Sequence, residues 1–247
     1  MKDLKESVAA LTLQQIKDVT PAVVANLYQQ FGSFEQALAA NTSVLSDDYP
    51  ANACRALGRY QKSPEKTDAD VEAIVARCIE HNIELLPLGS ENYPDLLAKI
   101  DRPPPLLFAQ GDLSQLSLPQ IAIVGSRHAT RGGLENAANF AELLAANGFV
   151  VTSGLALGVD GAAHVGALKT GRTVAVTGTG IDVLYPRAHS QLRQQIIEQG
   201  GVLLSEFVPG TPPLAGNFPR RNRLISGLSL GVLVVEAAIK SGSLITA

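Results

Sequence analysis

The spacing of hydrophobic positions changes along this chain. Up to about residue 65 they recur at helical intervals: Leu11, Leu13 and Ile16, then Val23, Val24 and Leu27, then Phe34, Leu38 and Leu45. Thr20-Pro21 reads as an N-cap followed by proline at the first helical position, and Phe31-Gly32-Ser33 as a helix stop and a new cap. Residues 1–65 are therefore expected to form a small all-helical domain of sterile-alpha-motif-like or helix-hairpin-helix kind. A plain helical bundle for packing or partner contact fits the same pattern. The polar, proline-bearing run Gln61 to Asp68 reads as a linker, followed by a helix from Ala69 to His81 and a short strand at Glu84 to Leu88. Arg102-Pro103-Pro104-Pro105 then forces extended backbone into Leu106-Leu107-Phe108.

From Ile121 onward, short apolar runs alternate with amphipathic ones. Strands are expected at Ile121–Val124, Phe149–Thr152, Thr173–Val176, Val202–Leu204 and Val232–Val235, with helices beginning near Gly133, Gly161, Ser190 and Arg221. Continuous apolar strands separated by helices predict an α/β fold for residues 66–247, an extended Rossmann-like parallel sheet covered on both faces. Such sheets bind ligands at the carboxyl ends of their strands.

Composition narrows the function. With 247 residues, 46% of them hydrophobic and 17% charged, the chain can bury a sizeable core and hold more than one domain. Apolar runs such as Val232-Leu233-Val234-Val235 fall far short of the roughly 20 residues that span a bilayer, and the polar start Met1 to Glu6 lacks a signal-peptide core. No membrane association and a cytoplasmic location are the expectations. Cys54 and Cys78 have neither CxxC spacing nor a nearby His pair and read as reduced thiols, with no metal site implied. A net charge of -3 and a pI near 5.8 exclude a broadly basic surface. Any nucleic acid contact must be local. Asn217-Phe218-Pro219-Arg220-Arg221-Asn222-Arg223 supplies one: three of the chain's 20 Lys and Arg residues beside an aromatic ring. Guanidinium groups grip phosphates and a ring stacks a base.

The expected strand ends open into small-residue loops: Gly125-Ser126-Arg127, Ser153-Gly154-Leu155-Ala156-Leu157-Gly158 and Gly178-Thr179-Gly180. Glycine admits a ligand close to the backbone, and the following helix directs N–H groups at an anion. The first loop departs from a dinucleotide fingerprint, because six residues separate Gly125 from Gly132-Gly133, and Thr152-Ser153 stands where an acidic residue would bind a ribose. No G-x-x-x-x-G-K-[ST] loop is present. An NAD enzyme and a P-loop NTPase are disfavoured, and no cofactor is expected. Asp160, His164, Asp182 and Glu236 are the candidates for acid–base work. Asp160 and His164 stand i, i+4 at a helix start, a spacing that suits a catalytic or metal pair but more often orders the helix. Asn222 is expected to cap a helix or contact a base or phosphate, the cap being the simpler reading.

Taken together, Ile121 to Arg127, Val151 to Asp160 with Ala163-His164, Gly178 to Asp182 with Tyr185-Pro186, Leu204-Ser205-Glu206, Phe218 to Arg223 and Ser241 to Ala247 resemble the DNA-processing protein A family, also called Smf. The resemblance implies cytoplasmic bacterial proteins that bind single-stranded DNA, protect incoming strands in natural transformation and load the RecA recombinase, with no enzymatic turnover. It further implies a homodimer through the Rossmann-like domain. By position it assigns DNA contact to Gly125, Ser126, Arg127, Phe218, Arg221, Asn222 and Arg223, to which the second glycine loop adds Ser153 and Gly154. The chain departs from the family at Arg131-Gly132-Gly133, His189 and Ala215. Family sheets continue with at least one further strand, so residues 66–247 read as a domain truncated at its carboxyl end. The rival reading is a Rossmann enzyme hydrolysing nucleotide monophosphates, and a third is a protein-interaction scaffold.

Overall fold

The computed structural model describes residues 2–42, 45 and 48–237. Ser241 to Ala247, the last segment carrying the family resemblance, lies outside the described residues. The chain divides into two compact units, residues 1–93 with 101–107, and residues 94–100 with 108–247.

The first unit holds α1 (Lys2–Gln15), α2 (Pro21–Phe31), α3 (Phe34–Ala39), α4 (Ala51–Lys62), α5 (Glu65–Glu80) and the strand β1 (Glu84–Pro87). The expected caps form: Thr20 Oγ1 accepts from the Val23 N–H at 3.4 Å, and Ser33 Oγ from the Gln36 N–H at 3.3 Å. Gly32 stops α2 with φ 68°. Leu11, Leu13, Leu27, Phe34 and Leu57 form the core, with the Tyr28 and Phe34 rings stacked 4.6 Å apart. The Glu6 carboxylate on α1 accepts from the Phe34 N–H at 2.7 Å and from the Ser33 hydroxyl, which ties the start of α3 to α1.

The second unit is built on strands β2 (Leu106–Gly111), β3 (Gln120–Gly125), β4 (Val150–Ser153), β5 (Thr173–Val176), β6 (Val202–Ser205) and β7 (Gly231–Val235), in the spatial order β2-β6-β5-β4-β3-β7. All neighbours are parallel except β2, which runs antiparallel to β6 with Phe108 opposite Ser205. The connecting helices are α7 (Arg131–Ala146), α8 (Val159–Ala167), α9 (Ser190–Glu198) and α10 (Asn217–Leu228), with the single turn α6 (Asp95–Ala98) preceding β2. The chain steps from β3 through β4 and β5 to β6 in one direction, then returns through α10 to β7 on the far side of β3. With right-handed crossovers that reversal puts α10 on the face opposite α7, α8 and α9. The expected Rossmann-like α/β sheet is thus present. α7 and α8 pack closely because their facing positions are small: Ala137, Ala141, Ala145, Ala163 and Ala167 meet Ile123, Val151 and Val159 in one buried cluster. Leu224, Ile225 and Leu228 bury the inner face of α10.

Strand positions match the expectation to within a residue. The start of α10 does not: it begins at Asn217 rather than near Arg221, with Gly216 in the N-cap position. Pro219 sits in the first turn, where a missing N–H costs nothing. Asn222 therefore lies inside the helix and does not cap α10; its Oδ1 accepts from Arg221 Nε at 3.2 Å.

Candidate nucleic-acid interface

The carboxyl ends of β3, β4 and β5 converge on the first turn of α10. β3 delivers Gly125 opposite Val235 of β7. The Ser126 N–H donates to the Val235 carbonyl at 3.3 Å, and its carbonyl accepts from the Val159 N–H at 3.1 Å. Arg127 follows, with an exposed side chain whose Cζ lies over the face of the Phe218 ring, 5.8 Å from its centroid. At this range a guanidinium and a ring attract, more strongly when partly desolvated.

Phe218 is half-buried and lies against the loop after β5. A methyl group on Gly178 would stand 2.7 Å from Phe218 Cδ1, so glycine is what lets the Cδ1 side of the ring approach that strand end.

Arg221 points the other way. It is only 4% exposed, and its Nη1 donates to the Gly154 carbonyl at 2.7 Å and to the Val176 carbonyl. Asp160 lies beside it, its Oδ2 accepting from the N–H groups of Gly154 at 3.2 Å and Ala156 at 3.3 Å. A methyl group on Gly154 would come within 2.6 Å of Asp160 Oδ2 and 2.7 Å of Arg221 Nη2. Burial draws the Arg221 pKa down to about 10, partly offset by Asp160. Burial likewise raises the pKa of Asp160, opposed first by Arg221 and then by the two loop N–H groups. Arg221 therefore braces the ends of β4 and β5 from beneath the surface, and the loop amides of Gly154 and Ala156 are taken by Asp160. Ser153 is fully buried and donates to the Ile123 carbonyl at 2.6 Å.

Arg223 and Arg220 share Glu206, whose side chain is 2% exposed; Arg220 Nη2 is 3.3 Å from Glu206 Oε2, and Arg223 is closer. Two cations on one carboxylate leave a net positive charge at the rim, with Arg220 45% and Arg223 31% exposed. Arg220 also lies 5.3 Å from the Phe207 centroid. Of the expected residues, the fold brings Gly125, Ser126, Arg127, Phe218 and Arg223 to one rim, with Asn222 half-buried between, and sets Ser153, Gly154 and Arg221 beneath it.

The acid–base candidates serve the scaffold. Asp160 and His164 do not bond each other: His164 is fully buried, and its Nδ1 pairs with Thr173 Oγ1 at 2.8 Å. Asp182 accepts from the Gly210 N–H at 2.7 Å. Glu236 accepts from the Thr130 N–H at 2.7 Å and from the Thr130 hydroxyl, two bonds that hold its pKa below the usual carboxylate value, hydroxyl first. It thus seats a carboxylate of the protein at the N-terminus of α7, beside the switch point between β3 and β7, where a dinucleotide enzyme holds its pyrophosphate. Among the described residues no group of three or more His, Cys, Asp or Glu could hold a metal, and no helix is long and apolar enough to cross a membrane.

Burial, then the nearby charges of His189 and Arg221, lowers the His164 pKa to about 3. An unfolded histidine titrates near 6.5. Between these values the unfolded chain binds the extra proton, so folding stability falls as pH drops below about 6.5, by up to about 1.4 kcal/mol per pH unit. Urea unfolding at pH 7 and pH 5 should show His164→Asn losing less stability on acidification than the wild type. Equal losses would assign the acid response elsewhere.

The model of the DNA recombination-mediator protein A family matches residues 84–247. The chain belongs to that family. Protein Smf of Escherichia coli strain K12 is 47% identical over 190 residues, 76% of this chain and 50% of that protein. The chain thus spans about half the length of that curated relative. DNA processing protein A of Streptococcus pneumoniae superposes with a TM-score of 0.74 at 35% identity, over 99% of this chain and 79% of that one. DNA processing protein A of Helicobacter pylori, studied for its single-stranded DNA binding mode, gives a TM-score of 0.60 at 35% identity, over 66% and 74%. The match to the DNA recombination-mediator protein A family includes every strand of the second unit and the whole Arg127–Phe218 rim.

Proposed function

We propose that this chain binds single-stranded DNA at the carboxyl ends of β3 and β5, with Arg127 on a phosphate, Phe218 on a base, and Arg223 with Arg220 adding positive charge along the rim. The observation that carries the reading is the exposed Arg127 guanidinium 5.8 Å from the centroid of the half-buried Phe218 ring, a cation and an aromatic ring brought together in an otherwise acidic chain. A backbone-tracking cation beside an aromatic platform suits single strands, whose bases are free to stack, and gives weak sequence preference. The similarity to the Helicobacter pylori protein supports it. The proposal includes binding without chemical turnover, since Asp160, His164, Asp182 and Glu236 are each engaged in holding the scaffold. In the whole cytoplasmic protein, acting as a homodimer through this domain, the bound strand would be protected during natural transformation and passed to RecA; family resemblance supports these further steps.

Fluorescence anisotropy with a labelled thymidine oligonucleotide tests the core of the reading, using unlabelled duplex and mononucleotides as competitors. The oligonucleotide is expected to bind, with single strands competing well and duplex poorly. Preferential duplex competition, or hydrolysis of a mononucleotide, would overturn it.

A further inference from the structure

Tyr185 belongs to a motif that the contacts above leave without a role. It lies at the same strand ends, 42% exposed, with its ring centroid 5.4 Å from that of Phe218 and tilted 38° to it. We propose that Tyr185 is a second base-stacking residue, which takes the nucleobase adjacent to the one on Phe218. The inference rests on the single-strand reading and extends its site by one nucleotide.

The geometry supports it in three ways. The two rings pack against each other as a tilted aromatic pair, with Arg127 on the Phe218 member. A flat base cannot lie parallel to two rings inclined at 38°, so the pair suits two successive bases rather than a single shared one. The loop bearing Tyr185 is also tied down. The Gly180 N–H donates to the Thr211 carbonyl at 2.9 Å, the Val183 N–H to the Gly180 carbonyl at 2.9 Å, and Arg193 to the Ile181 carbonyl. Tyr185 is thus an exposed ring held in place before any ligand arrives, which cuts the ordering cost of stacking.

The chain contains no tryptophan, so Tyr185→Trp places a single indole in the proposed site. Adding a thymidine oligonucleotide should quench its fluorescence, whereas an abasic strand of equal length and charge should not. Tyr185→Ala is expected to weaken oligonucleotide binding about 5- to 150-fold, the range of one stacked base, and Tyr185→Phe to restore it. Wild-type binding with unchanged affinity in Tyr185→Ala, or equal quenching by the abasic strand, would overturn the Tyr185 assignment alone. Failure of the wild type to bind the oligonucleotide would overturn the single-strand reading and this extension with it.

Discussion

Replacing Arg221 with methionine is expected to destabilise the second unit by about 3–5 kcal/mol, the usual cost of removing one partner from a buried charge arrangement. The guanidinium is 4% exposed and serves the carbonyls of Gly154 and Val176 at once. Its loss orphans both acceptors and leaves Asp160, itself 7% exposed, without the neighbouring positive charge. Methionine fills much of the volume but donates nothing. Arg221→Lys is expected to recover little, because the lysine side chain ends short of the Nη1 position that serves both carbonyls and cannot keep the Nε bond to Asn222. Pairing Arg221→Met with Asp160→Asn should restore part of the loss by removing the uncompensated carboxylate. Urea unfolding followed by circular dichroism measures all three. A loss below about 1 kcal/mol for Arg221→Met would mean that water or a rearranged loop takes over the guanidinium's bonds.

Arg221 also shows how much of the site could be read from residues alone. The run Phe218 to Arg223 marked the rim, but within it the spacing distinguishes the arginines: Arg221, Leu224, Ile225 and Leu228 stand at i, i+3, i+4 and i+7, one inward stripe of α10. Arg220 and Arg223 lie off that stripe and reach solvent. The stripe was present, but a helix expected to begin near Arg221 leaves that residue at an exposed end, whereas α10 begins at Asn217 and carries Arg221 into its buried face. The parallel strands were legible because each is a short apolar run followed by a glycine turn. What was not legible depends on long-range closure. Glu206 receives two arginines 14 and 17 residues away, and Glu236 bonds Thr130 across 106 residues of sequence. No local pattern encodes such pairings. Tyr185 escaped for the same reason, since its neighbour Phe218 arrives from another strand end.

Phe218→Ala and Arg127→Ala should both weaken single-strand binding, and salt separates them. Removing the ring is expected to cost about 1–3 kcal/mol, a 5- to 150-fold loss of affinity, while leaving the salt dependence unchanged, because a stacked base releases no counterion. Removing Arg127 should lower the slope of log affinity against log salt by about 0.7, the value of one phosphate contact on a single strand. The two effects should not add: with Arg127 Cζ 5.8 Å from the Phe218 centroid, each side chain helps to place the other, and the double variant should lose less than the sum. Arg223→Ala should change the slope by less than Arg127→Ala, since Arg223 already shares Glu206 with Arg220. Anisotropy titrations across a salt series read all of these. A Phe218→Ala variant with wild-type affinity would remove the stacking platform from the account, and an Arg127→Ala variant with an unchanged slope would show that its charge meets the ring and not the strand.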